Sequence, residues 1–238
     1  MRDAIVIIPT FNEIENIEDI IRAVFALDKN FDVLIVDDNS PDGTAKKVGE
    51  LQNEFRDRLF IEIRNEKAGL GTAYIHGFKW CLNRHYDYIF EMDADFSHNP
   101  VDLPRLYETC KNDADVSIGS RYIKGVNVVN WPMSRVLLSY LASIYVRVIT
   151  GMKIKDTTAG FVCYKREVLE GIDLDNIRFV GYAFQIEMKF KAYLRKFKIV
   201  EIPVVFTDRT KGESKLSGSI ISEAIFGVIS LKWKSLFK

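Results

Sequence analysis

Tyr88-Ile89-Phe90-Glu91-Met92-Asp93-Ala94-Asp95 is an apolar run that ends in two carboxylates two residues apart. The run reads as a β-strand, and the acids fall at its carboxyl end. In a parallel α/β sheet that is the end where ligands bind. Two hard oxygen ligands there suit Mg²⁺ or Mn²⁺, above all an ion that also holds substrate phosphates. An Asp-x-Asp by itself is equally the composition of a solvated turn. A second strand-like run, Val33-Leu34-Ile35-Val36, ends in a second acidic pair, Asp37-Asp38, and this repetition favours a site.

Working outward from these runs, strand and helix signals alternate. Ala4–Ile8 is continuously apolar, as a strand covered on both faces must be. Glu13 to Leu27 carries Ile17, Ile20, Ile21 and Val24 at a helical period. After Val33–Val36, Asp42-Gly43-Thr44 opens a helix over 45–55 with Thr44 as its cap. Leu59–Arg64 is a strand, Gly69–Leu82 a helix begun in a glycine-rich turn, and Leu103–Lys111 a helix before a strand at Val116–Gly119. This rhythm predicts an α/β fold with a mostly parallel, doubly wound sheet. The second half predicts helices over 133–149 and 182–197, strands over 161–164 and 199–206, and a last helix from Ser219. The expected organisation is a catalytic domain over 1–217 and an amphipathic helix over 218–238.

The 238 residues are 47% hydrophobic, enough for a substantial core, and 33 basic residues balance 33 acidic ones. That balance argues against a general nucleic-acid binder. Cys81, Cys110 and Cys163 are far apart and form no Cys-x-x-Cys, so reduced, buried thiols in a cytosolic protein are expected. Met1-Arg2-Asp3 leads straight into Ala4–Ile8, too short for a secretory signal. The longest apolar run, Val136 to Val146, lies between Arg135 and Arg147, so any membrane contact is expected from the side. Leu137, Leu138, Leu141, Ile144 and Val148 fall near one face of that helix. They read first as core and second as a groove for lipid.

No Gly-x-Gly-x-x-Gly follows the first strand, and no Gly-x-x-x-x-Gly-Lys-Ser/Thr exists, which excludes dinucleotide and P-loop sites. Pro9-Thr10-Phe11-Asn12-Glu13 stops the first strand instead, with Asn12 placed to cap the next helix. Asp37-Asp38-Asn39-Ser40-Pro41-Asp42-Gly43-Thr44 is more polar than a turn requires, and a carboxylate there suits ribose hydroxyls. Lys67-Ala68-Gly69-Leu70-Gly71 and Met92-Asp93-Ala94-Asp95-Phe96-Ser97-His98-Asn99-Pro100 follow. Taken together these stretches resemble the GT-A glycosyltransferases of family 2, nearest to the branch that acts on dolichyl and polyprenyl phosphates. The resemblance continues through Gly119-Ser120-Arg121-Tyr122, Thr158-Ala159-Gly160-Phe161, Gly181 to Glu187 and Arg209 to Leu216, in order and over nearly the whole chain.

The resemblance implies a GT-A fold and transfer of mannose from GDP-mannose to a polyprenyl monophosphate, with inversion. Asp93 and Asp95 would hold Mg²⁺ or Mn²⁺ on the donor pyrophosphate, with Ala94 between them in the nucleotide-sugar site and Ser97 where the family often has Gln. Pro9, Phe11, Glu13, Asp37, Asp38, Lys67 and Gly69 would surround the nucleotide. Arg121 and Arg135 would face the acceptor, and Arg209 and Lys215 belong to a loop closing over phosphates. His98 is assigned no proton transfer. Two other readings stay open: a UDP-sugar donor, and a non-catalytic nucleotide-sugar-binding protein. The last helix carries Trp233 among Lys232 and Lys234 and is expected at a membrane surface, on a small membrane-anchored subunit, or against the core. The expected location is the cytoplasmic face of a membrane.

Overall fold

A computed structural model describes residues 2–181, 183–208 and 218–236, with side chains in the last helix described from 226 onward. Strands β1 (Ala4–Thr10), β2 (Asp32–Asp37), β3 (Leu59–Ile63) and β4 (Tyr88–Glu91) are parallel and lie in the order β3-β2-β1-β4. Helices α1 (Ile17–Phe25), α2 (Thr44–Leu51) and α3 (Leu70–Leu82) make the crossovers. The chain therefore winds outward from β1 to β3 and restarts beside β1 with β4. That reversal leaves a crevice at the carboxyl ends of β1 and β4, where doubly wound sheets take their ligands.

Alternation along β1 explains both layers of core. Ile5 and Ile7 join Leu34, Val36, Tyr74, Phe78 and Phe184 on one face. Ala4, Val6 and Ile8 join Ile17, Ile20, Ile21, Val24 and Leu103 on the other. Each such aliphatic side chain, fully buried, contributes about 1.5–3 kcal/mol.

Past β4 comes α4 (Leu103–Asn112), then β5 (Val116–Ser120) and β6 (Val128–Val129). They are followed by α5 (Met133–Thr150), β7 (Val162–Lys165), α6 (Arg166–Gly171), α7 (Ala183–Leu194), β8 (Ile199–Pro203), β9 (Phe206–Thr207) and α8 (Gly218–Ser235). The full sheet order is β3-β2-β1-β4-β7-β5-β8. β7 is antiparallel to both neighbours, so its beginning lies at the same edge as the ends of β4 and β5. The loop before it is thereby brought to the crevice.

Several expectations are corrected. Asn12 does not cap a helix: it turns the chain at φ 59°, and α1 begins four residues after Glu13, behind Asn16. Thr44 is the first helical residue of α2, and its hydroxyl is spent between loops, donating to Asp42 Oδ1 (2.6 Å) and accepting from the Glu13 N–H (3.0 Å). The strand expected over 199–206 divides after Pro203 into β8 and β9, and β9 leaves the main sheet to pair with β6.

The apolar face expected to be core in α5 is outside. Leu137, Leu138, Leu141 and Val148 are exposed, while Ser143, Val146 and Thr150 are buried. α8 packs against α5 and α7. It divides its apolar residues: Val228 and Leu231 enter the core, and Phe226, Ile229 and Trp233 remain exposed, as does Leu236 just past its end. Cys81, Cys110 and Cys163 are free and buried, as expected.

Candidate functional site

Three turns meet at the crevice, each bent through one non-glycine residue with positive φ: Asn12 (59°) after β1, Asn39 (57°) after β2 and Phe96 (59°) after β4. Asn tolerates this conformation, whereas a bulky Phe is a true outlier that the surroundings must hold. The first two turns are tied together. Asn12 N–H donates to Ser40 Oγ at 3.0 Å and Ile14 N–H to Asp42 Oδ2 at 3.0 Å.

The two residues of the first acidic pair have different tasks. Asp37 is wholly buried and accepts from Thr10 Oγ1 (2.7 Å), Ser40 Oγ (2.6 Å) and Ser40 N–H (2.8 Å), so its carboxylate builds the turn. Asp38 is gripped by both arms of Arg64, at 2.6 and 2.8 Å. Arg64 also donates to Thr72 Oγ1 at 2.8 Å, which ties the β2 turn to the start of α3. The Lys67 ammonium stands 4.2 Å from the centre of the Phe11 ring, so these two expected nucleotide residues do meet. Pro9 is paired with Val36 in the sheet just below, and Glu13 accepts from Asn16 Nδ2 at 2.9 Å.

Gly69 lies at φ 100°, and a Cβ there would come within 3.0 Å of the Val180 carbonyl oxygen. The Gly71 N–H donates to that same oxygen at 2.8 Å. The glycine turn is thus fixed by backbone contact with the segment before α7.

At the end of β4, Met92 N–H bonds Ile7 O, which extends the ladder one residue toward the acids. Asp95 is nearly buried and accepts from Ser97 N–H at 3.1 Å. The Asp93 side chain is 37% exposed. The Asp93 N–H donates to His98 Nδ1 at 3.1 Å. His98 stacks on Phe161, with centroids 5.0 Å apart, and burial pushes its imidazole down to about 4, against the pull of the Asp95 charge. A neutral ring with Nδ1 as acceptor is what the Asp93 N–H requires. His98 therefore holds the turn through its ring and its Nδ1.

Among the described residues, no three His, Cys, Asp or Glu side chains gather as a metal cage. Two strand-end carboxylates fit a hard ion that completes its shell with water and substrate phosphates. The Ser97 backbone N–H orients one of them, Asp95.

The other side of the crevice is cationic and aromatic. Arg121 is buried in a bidentate pair with Asp156, at 2.7 and 2.6 Å, and also reaches Thr158 Oγ1 at 2.8 Å. Burial would raise the Asp156 carboxyl, but the Arg121 charge and hydrogen bonds outweigh it and hold it below its ordinary range. The Arg121 guanidinium also lies 5.4 Å from Trp131 and 5.5 Å from Phe206. Arg135 sits 4.1 Å over Trp131 and donates to Asp208 at 2.8 Å. Arg121 and Arg135 therefore flank one aromatic pair. Arg209 and Lys215 lie outside the described residues.

Beneath Asp93 the fully buried Glu91 accepts from Gln185 Nε2 at 2.8 Å. Gln185 Oε1 accepts from the buried Lys189, which also donates to Ala159 O at 2.6 Å. Burial pushes Glu91 up and Lys189 down, each toward its neutral form, with the partner's charge opposing. Arg64, Trp131, Asp156, Gln185 and Phe206 are the residues that sequence reasoning missed. Arg64 had a local signal, a charge at a strand's carboxyl end, and Gln185 stood within the stretch Gly181 to Glu187 without being singled out.

Residues 5–173 match the family described as glycosyl transferase family 2. A polyprenol monophosphomannose synthase of Mycolicibacterium smegmatis is 47% identical over 224 residues, which cover 94% of this chain and 84% of that protein. An undecaprenyl-phosphate mannosyltransferase of Micrococcus luteus is 43% identical over 234 residues, covering 97% of this chain and 96% of that one. The fold is also similar to that of a mannosyltransferase from Pyrobaculum calidifontis solved in complex with GDP-Man and Mn²⁺. The two share a TM-score of 0.61 and 16% identity over 99% of this chain and 74% of that one.

Proposed function

Since the chain belongs to glycosyl transferase family 2, we propose that it transfers mannose from GDP-mannose to a polyprenyl monophosphate with inversion. The sugar and acceptor follow from the similarity to the mycobacterial and micrococcal enzymes. The observation in the structure that carries the reading is the meeting, at one crevice, of Asp93 and Asp95 with the Asp38–Arg64 clamp and the Lys67–Phe11 pair.

Asp93 and Asp95 would hold Mg²⁺ or Mn²⁺, which when bound neutralises charge on the departing diphosphate. Asp38, Lys67 and the Gly69 turn surround the nucleotide. Asp37 shapes the floor of that pocket without needing to touch the ligand. Arg121 and Arg135, each paired with an aspartate, line the acceptor side together with Trp131 and Phe206, and Arg209 and Lys215 are assigned to the phosphates from their sequence alone.

A phosphate monoester carries about −1.5 to −2 charge at neutral pH, so the acceptor attacks without a general base. One acceptor oxygen forms a bond to the anomeric carbon, the bond from that carbon to the diphosphate oxygen breaks, and its electron pair leaves with GDP. Attack from the opposite side inverts the carbon. The buried, neutral His98 accords with a reaction that has no proton to remove.

A lipid acceptor requires approach to a bilayer. We assign that contact to the exposed Leu137, Leu141 and Val148 of α5 with Phe226 and Trp233 of α8. Arg147, Lys232 and Lys234 lie on the same helices, and basic residues near anionic lipid are worth about 1 kcal/mol each. By length and composition α5 is apolar enough to cross a membrane, yet its Ser143, Val146 and Thr150 are packed within the protein. Contact along its side accommodates both facts. The free, buried cysteines accord with placement on the cytoplasmic face.

The test is a donor screen scored by labelled lipid product, using a polyprenyl phosphate with Mn²⁺. GDP-mannose is expected to give the most product. Faster transfer from UDP-glucose would replace the donor assignment, and no transfer from any nucleotide sugar would leave a binding protein.

A further inference from the structure

We infer that Phe179 is a positioning residue that links α8 to the glycine turn at the start of α3. The inference rests on the reading above in placing that turn beside the donor nucleotide.

The segment Arg178–Val180 is held from three directions. On one side it meets the turn backbone to backbone. Gly71 N–H donates to Val180 O at 2.8 Å, and a Cβ on Gly71 would stand 2.8 Å from Phe179 O. No side chain intervenes, so a shift of the segment is a shift of the turn. Underneath, the fully buried Glu187 accepts from the N–H groups of Arg178 (2.8 Å) and Phe179 (3.1 Å). Lys191 Nζ stands 3.3 Å from the other Glu187 oxygen. That clamp stops the segment from sliding along α7.

On the third side is α8. A Cβ on Gly227 would fall 2.6 Å from Cζ and 2.7 Å from Cε1 of the Phe179 ring. Arg178 Nη1 donates to Ser230 Oγ at 3.4 Å one turn further on. Glycine inside a helix costs about 1 kcal/mol relative to alanine, so Gly227 needs a packing reason. The ring lying against its bare backbone supplies one. Any atom added at 227 must push the ring, which is packed in the core and is carried by the same main-chain segment that bonds Gly71.

The sequence carried both ends of this link without showing that they meet. Gly69-Leu70-Gly71 belongs to the expected nucleotide site. Gly227 stands in a helix that the sequence associates with a membrane surface, a partner subunit or the core, and not with the nucleotide site.

The experiment compares the full chain with Gly227→Ala, Phe179→Leu and the double variant. GDP affinity is read by calorimetry with Mn²⁺, amide exchange is read over 69–73, and donor KM and kcat are read in the transfer assay. Overpacking by one methyl at such a contact predicts about a tenfold loss of GDP affinity in Gly227→Ala and about tenfold faster exchange at the Gly71 amide. Donor KM should rise with kcat little changed, and Phe179→Leu should restore most of the loss by making room for the methyl. A purely structural Gly227 would lower the melting temperature and leave GDP affinity and Gly71 exchange as in the wild type, which overturns the inference. So does a double variant as impaired as the sum of the single ones. If Gly227→Ala does not fold, Phe179→Leu alone decides: faster Gly71 exchange supports the link, and unchanged exchange refutes it. Absence of GDP binding by the wild-type chain would refute the donor assignment instead, and the exchange measurement would still decide the link.

Discussion

Arg121 and Asp156 show how one residue's role changes when its partner is visible. The sequence offers Arg121 as an acceptor-facing cation, and nothing in the local pattern points to Asp156, 35 residues further on. In the fold the two form a buried pair whose second task is to fix the loop before β7. Breaking such a pair by removing one partner costs about 3–5 kcal/mol, because a buried charge is left alone. Asp156→Asn should therefore lower stability by that order in urea unfolding. The pH dependence has a definite sign. The Asp156 carboxyl is held below its ordinary value of 3.8, so its contribution is present above that pH and fades as pH falls through the lower folded value. Asp156→Asn should remove this part of the acid-induced loss of stability. An unchanged acid profile in the variant would show that the pair does not carry it. Asp37 and Asp38 teach a similar lesson: adjacent in sequence, one is committed to its own turn and the other to Arg64. Residue type and position placed both acids at the carboxyl end of β2. Only the hydrogen bonds divide their work.

At the scale of elements, the first half was legible because each strand is covered on both faces and reads as an unbroken apolar run. β1, β2 and β4 were expected within two residues of their observed ends, and with them came the crevice. The second half hid its organisation for physical reasons. β7 enters the sheet antiparallel between β4 and β5, a placement that apolar periodicity cannot specify. β6 and β9 are two residues each, too short for any period. α5 misled for the opposite reason, since a clear apolar face implied core. That face is exposed, and burial falls on the small Ser143 and Thr150 with Val146. An exposed apolar stripe of this kind signals a surface to be covered. Replacing Leu137 and Leu141 with Glu should leave the melting temperature nearly unchanged, since neither packs in the core, and should abolish flotation with anionic liposomes. Liposome binding equal to that of the wild type would show that α5 does not meet the bilayer.

Across the whole molecule, the parallel half forms the crevice assigned to the donor, while the end of β5, the β6–β9 pair and the start of α5 bring Arg121, Trp131, Phe206 and Arg135 to its other side. Donor and acceptor would thus approach from different halves of one sheet and meet at Asp93 and Asp95. The central claim is that these strand-end acids carry metal-assisted mannosyl transfer. It is tested most directly by measuring transfer from GDP-mannose to a polyprenyl phosphate, with Mn²⁺, for the wild-type chain and for Asp95→Asn. The substitution keeps size and shape but removes the charge and one hard oxygen ligand. The account predicts that Asp95→Asn folds with near-normal thermal stability and loses nearly all transfer at every Mn²⁺ concentration. A folded Asp95→Asn that transfers mannose at the wild-type rate would contradict it.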